Sequence, residues 1–200
     1  MAAQLGAGTD RRLAALAGGG SAPKTLNGWL MTASDAHFLK SSYREMLLEH
    51  LFAGEVMRHL WLTKSGGLEV LKPQVDDSGY DIVFDAGGIV RHVQLKASFR
   101  GSKTSSFTIS LLLGAKPSGC VVFIQFDPET LALGPFWFFG GPPGEPLPDL
   151  SGFKVARHSK GNAQGVKAFR PNLRTVPLTR FDKVVDIPEL TVRLFGHGTV

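Results

Sequence analysis

The side chains best suited to chemistry gather in residues 79–96, which read GYDIVFDAGGIVRHVQLK. Asp81 supplies a carboxylate, Gln94 an amide oxygen and Lys96 an ammonium, so oxygen donors and a cation suited to a charged substrate lie within one short stretch. His92 lies two residues before Gln94 and adds a candidate base. Competing chemistries find little material. The chain has no GxSxG, no P-loop and no Cys/His cluster at zinc spacing, and its six histidines are scattered.

These residues need a scaffold to bring them together, and the stretch carries its own. Two apolar, β-branched runs flank Gly87-Gly88, the pair that supplies the positive φ angles required by a two-residue hairpin turn. Pairing Ala86 with Ile89 sets Asp85 against Val90 and, counted down both strands, Asp81 against Gln94. Alternation then places Asp81, His92, Gln94 and Lys96 on one face, with Ile82, Phe84, Val93 and Leu95 on the other.

This hairpin, with the helix and strand expected before it, resembles the PD-(D/E)XK nuclease superfamily, the restriction-endonuclease-like fold. The likeness spans roughly residues 43–126 and rests on Asp81 followed by Gln94-Leu95-Lys96, a Q-x-K form of the acid-x-Lys element. Tyr80 stands where the family name has proline. The resemblance implies a metal-dependent nuclease, acting on DNA in preference to RNA, that holds Mg²⁺ or Mn²⁺ through Asp81, the Gln94 side-chain oxygen, the Leu95 backbone carbonyl and a helix glutamate. It implies that Lys96 positions the attacking water or stabilises developing charge. It also implies an α/β fold, a mixed central sheet of about five strands with flanking helices. With Gln in place of an acid, the site has one negative charge fewer and a weaker hold on the metal.

The helix glutamate is chosen by periodicity. A helix is expected from Ser41 or Ser42, either a good N-cap, to Leu62. Its apolar face is read through Leu47, Leu48, Leu51, Phe52, Val56 and Leu62, with Glu55 near the centre and Glu45 and Glu49 at or beyond the edge. A carboxylate on an apolar stripe is costly unless it is paired or bound to a metal. Glu55 therefore serves the site or pairs with Arg58 or His59.

The remaining elements follow in order. Leu68–Lys72 reads as a strand stopped by Pro73, Ser106–Gly114 as a short helix, and Gly119–Phe126 as a central strand buried on both faces. Leu131–Phe139 reads as an aromatic-rich strand whose Phe136, Trp137, Phe138 and Phe139 could stack bases or fill a core. Ile187–Phe195 closes the chain as a helix. Asp76 and Asp77 lie in a turn before the hairpin, where solvation or metal assistance would suit them.

Charge distribution separates the chain into two parts. Residues 1–150 hold 13 Lys/Arg against 14 Asp/Glu, whereas residues 151–200 hold 9 against 3. The second set includes Lys154, Arg157, Lys160, Lys167, Arg170 and Arg174, and Lys103 occupies a cationic loop after the hairpin. Such clustering fits a polyanion partner as well as a solvated face. Read with the resemblance, residues of about 151–183 form a basic extension that clamps a nucleic-acid backbone.

With 200 residues and 43% hydrophobic content, one domain over 28–200 is expected behind a loosely ordered Ala/Gly-rich segment at 1–27. No apolar run reaches about 18 residues, so no membrane span is expected. The single Cys120 sits in an apolar run and reads as a core thiol, consistent with a reducing cytoplasm. Double-strand cleavage would favour a homodimer. Two other readings remain: a catalytically degenerate nuclease fold that only binds nucleic acid, and a structural or antitoxin-like partner protein.

Overall fold

The computed structural model describes residues 40–75, 77–158, 160 and 165–197. The expected segment 1–27 and Asp76 lie outside the described residues. Helix α1 (Ser41–Leu62) is followed by β1 (Glu69–Leu71), β2 (Ile82–Ala86) and β3 (Ile89–Phe99). Next come β4 (Ser106–Ser110), a single helical turn α2 (Leu111–Gly114), β5 (Gly119–Phe126) and β6 (Leu133–Gly140). Strands β7 (Lys154–Arg157) and β8 (Phe169–Pro177), a 3₁₀ turn (Leu178–Arg180), β9 (Asp182–Val184) and helix α3 (Ile187–Phe195) complete the chain.

The fold is α/β, with a mixed sheet of six strands in the order β1-β2-β3-β5-β6-β9 and flanking helices. Among the described residues only the β3–β5 pair is parallel, with Gln94 beside Val121 and Lys96 beside Phe123. A parallel neighbour requires a crossover. Here β4 and α2 provide it, and β4 joins β8 and β7 in a second, three-stranded sheet.

The hairpin register follows the expected count. Ala86 pairs with Ile89, Asp85 with Val90 and Ile82 with Val93. Gly87 and Gly88 take φ of 58° and 80°, the left-handed values that such a turn demands.

The large sheet divides two apolar cores. On one face, Ile82, Phe84, Val93, Val122 and Ile124 pack beneath Phe52, Val56 and Leu60 of α1 and Leu190 and Leu194 of α3. On the other, Val121, Phe123 and Phe139 meet Phe107 and Ile109 of β4, with Val176 and Phe181. Strand β5 lies between the cores and is buried on both sides, as its continuous apolar run implies.

Several expectations are corrected. Ser106–Ser110 is a strand instead of the start of a helix: Phe107 and Ile109 alternate inward, and only Leu111–Gly114 turns helically, with Ser110 accepting the Leu112 N–H at 3.2 Å. The N-cap of α1 is Lys40, with no side-chain capping bond, in place of Ser41 or Ser42. The region of about 151–183 is not a plain basic extension, because β7, β8 and β9 are built from it. Phe136, Phe138 and Phe139 are buried and so unavailable to bases. The face that α1 buries runs through Leu48, Phe52, Ala53, Val56 and Leu60, leaving Leu51 and Leu62 exposed.

Candidate active site

At the start of β2 the ladder changes. Ile82 pairs with Val93, and the Asp81 N–H also donates to the Val93 carbonyl at 2.9 Å. Regular pairing with β3 thus ends at Ile82, and Asp81 precedes the strand. Asp81 therefore does not sit squarely opposite Gln94. Its carboxylate lies at the end of β2, where Oδ2 accepts the Leu95 N–H at 2.6 Å. In an extended strand a residue's N–H and C=O project to the same edge, so the Leu95 carbonyl also lies on the Asp81 side. Gly79 permits this entry: its φ is 79°, and a Cβ there would stand 2.6 Å from the Ser110 Cβ.

Two grooves flank this strand end, and Lys96 lines both. The first, of about 310 Å³, is formed by Asp81, Leu95, Lys96 and Ala97 against Arg44, Glu45, Leu48 and Glu49 of α1. The second, of about 560 Å³, lies between the sheets and is lined by Asp77, Gln94 and Lys96, by Thr108 and Ser110 of β4, and by the start of β8 from Phe169 to Leu173. The hairpin thus brings Asp81, Gln94, Leu95 and Lys96 to one strand end. It divides them between grooves, with Lys96 lining both.

The helix acid is corrected as well. Glu55 makes an ion pair with Arg58 at 2.5 Å and lies in a different groove, beside Leu51, Leu131 and Ile187. Glu45 and Glu49 line the Asp81 groove instead. Glu49 is the more enclosed of the two, with 21% side-chain exposure, and is held by Lys72 at the end of β1.

Gln94 is 8% exposed, and its Oε1 is buried without a hydrogen-bond partner. An orphaned acceptor is costly, and a cation at that position would satisfy it. The donor set fits Mg²⁺ or Mn²⁺, which prefer oxygen and accept carbonyls and waters with few carboxylates. Among the described residues, no three His, Cys, Asp or Glu side chains form a ready-made cage. Any hold on a cation would therefore depend on neutral oxygens.

His92 is not on the groove wall. Its ring meets Tyr80 edge-on at 4.9 Å, its Nδ1 is buried without a partner, and burial, aided by the charge of Lys116, holds its pKa below the ordinary value. It stays neutral at pH 7. Cys120 is fully enclosed, and burial pushes its thiol up to about 11 even with Arg91 beside it.

The expected basic residues are spread over the second sheet and its surroundings. Arg170 lines the larger groove, Lys154 and Lys167 are exposed, and Lys160 and Lys103 are exposed away from the grooves' linings. Arg157 lies over the Phe169 ring with its Cζ 4.4 Å from the centroid. Arg174 is turned back onto the Pro171 and Leu173 carbonyls. Phe169 went unnoticed in the sequence because four adjacent aromatics in β6 drew attention from a single one in a polar segment.

No family model matches the chain, and no curated protein matches it. Among solved structures, a bacterial homing endonuclease is similar at 25% identity, with a TM-score of 0.22, over 44% of this chain and 62% of that chain. A superposition at that TM-score fixes neither family nor activity.

Proposed function

We propose that this chain is a metal-dependent phosphodiesterase that hydrolyses nucleic acid, DNA in preference to RNA. The observation that carries the reading is the buried, partnerless Oε1 of Gln94, next in sequence to the residue whose amide holds the Asp81 carboxylate. Asp81, Gln94 and the Leu95 carbonyl are the residues that would hold Mg²⁺ or Mn²⁺, which supplies a bound water of lowered pKa and a counter-charge for the phosphate.

The protein's own contribution is positioning and charge. The bonds from the Asp81 N–H to the Val93 carbonyl and from the Leu95 amide to its carboxylate leave its direction little freedom. Lys96, which lines both grooves, would meet a phosphate oxygen or the attacking water. Glu49 takes the role first assigned to Glu55, with Lys72 paired to its carboxylate. Exposed Lys154, Lys167 and Arg170 would meet backbone phosphates in a salt-dependent manner.

The absence of an acidic trio among the described residues favours one competitor, a fold that binds nucleic acid without cutting it. Purified protein incubated with supercoiled plasmid, single-stranded DNA and RNA, in Mg²⁺, Mn²⁺ or EDTA, separates the two. Cleavage that needs metal and disappears in Lys96→Ala supports the enzyme. Binding without cleavage in either metal supports the competitor, and no binding at all defeats both.

A further inference from the structure

We infer that the larger groove holds one unpaired nucleobase stacked on Phe169, so that this protein engages single-stranded or locally opened nucleic acid. The inference rests on the nucleic-acid reading above. Its starting point is an aromatic ring that the core does not use. Phe107, Phe123, Phe139 and Phe181 of the second core are buried, whereas Phe169 is 58% exposed on the groove wall.

Register explains how the ring is held. Arg157 of β7 is paired with Phe169 of β8, and its guanidinium covers one ring face. That contact orients the ring and leaves its remaining surface to the groove, whose volume of about 560 Å³ lies within the usual range for small-molecule sites. Around the ring stand groups that suit a base edge, His158, Asn172 and Thr108, and two cations that suit phosphates, Arg170 and Lys96.

A flat apolar face, a polar edge and cations to one side match the chemistry of a nucleotide. In a duplex the base faces are occupied by their neighbours, so a ring at the side of a helix gains nothing from them; a splayed base offers its face freely. Because Lys96 also lines this groove, a base held on Phe169 would bring its adjoining phosphate into the groove that Lys96 lines. Stacking would thus select unpaired substrate and set its register.

The test is binding without turnover. In EDTA, fluorescence anisotropy would be read for a twelve-residue oligothymidylate, the matching oligouridylate and a blunt duplex, with wild type, Phe169→Ala, Phe169→Leu and Phe169→Trp. Loss of one stacked base should weaken single-strand binding about tenfold to a hundredfold in Phe169→Ala and Phe169→Leu, with Phe169→Trp near wild type and duplex binding little changed. A 2-aminopurine placed in the oligonucleotide should be quenched by wild type and not by Phe169→Ala. Equal affinities across the four proteins, while Arg170→Ala weakens binding, would overturn the stacking inference and leave the nucleic-acid reading intact. Failure of wild type to bind any of the three probes would overturn both. Because Phe169 is exposed, unchanged melting of the variants is expected and would confirm that folding is not the cause.

Discussion

The Asp81 carboxylate accepts the Leu95 amide proton at 2.6 Å, closing the end of β2 onto a strand that continues past it. A single side chain thus finishes a ladder and presents a charge. Asp81→Asn separates these roles, since its amide oxygen can still accept the Leu95 N–H. The variant is expected to melt within a few degrees of wild type by differential scanning fluorimetry and to lose metal-dependent cleavage by about a hundredfold or more, as loss of a charged ligand should. Full activity in Asp81→Asn would remove it from the site.

Glu49 and Glu55 make opposite predictions. Glu49→Gln is expected to reduce cleavage at least about tenfold, because it faces the Asp81 groove with Lys72 behind it. Glu55→Gln only weakens a surface pair with Arg58, worth about 0.3–0.5 kcal/mol, and should leave plasmid nicking unchanged. Comparable losses in both would show that helix placement is irrelevant to activity.

Gln94→Glu adds a charge where an oxygen now lacks a partner. Calorimetry with Mn²⁺ is expected to show tighter binding than wild type. Without metal the variant should melt lower, because a carboxylate at the buried Gln94 position is costly to ionise. If affinity is equal or weaker, Gln94 does not face the cation.

Arg91 is completely buried, and its guanidinium donates to Ser118 Oγ and to the carbonyls of Pro142, Gly141 and Arg193. It ties β3 to the loop after β6 and to the C-terminal turn of α3. Arg91→Met leaves those acceptors without a donor and should cost at least about 1–3 kcal/mol in urea unfolding. Loss below about 1 kcal/mol would mean that water replaces the guanidinium.

His92 gives a pH dependence. Its folded pKa lies below the ordinary 6.5, chiefly because burial disfavours the cation. The unfolded chain therefore takes up the proton first, so the contribution of neutral His92 is full above about pH 6.5 and is lost as pH falls toward the folded pKa. Melting followed from pH 7.5 to 5 should decline more steeply in wild type than in His92→Gln. Parallel curves would show that other groups govern acid sensitivity.

The legible parts of this chain were those with local signals. Gly87-Gly88 dictated the turn, and the turn dictated the register down to Ile82 and Val93. The apolar run of β5 and the Ile187–Phe195 helix were equally plain. Helix α1 misled, because Tyr43, Met46, Met57 and Trp61 make its outer side apolar too, which flattens the period. The buried face is rotated by roughly a quarter turn from the face expected, which exchanges Glu55 for Glu45 and Glu49. The early end of pairing at Ile82 left little trace beyond Gly79, since it depends on the Asp81 N–H reaching the Val93 carbonyl. Strands β7 and β8 were hidden by their polar, basic composition. They are identified by what they pair with.

The inequality of the hairpin's arms has another consequence. Strand β3 has eleven residues and β2 has five, so β3 outruns its neighbour and leaves an open margin inside a six-stranded sheet. Open margins invite stray chains to add as further strands and so seed aggregation. Here the invitation is withdrawn by charge: Asp81 takes the first free amide, and Glu45 and Glu49 line the approach. The carboxylates of Asp81, Glu45 and Glu49 thus put negative charge where an added strand would have to pair.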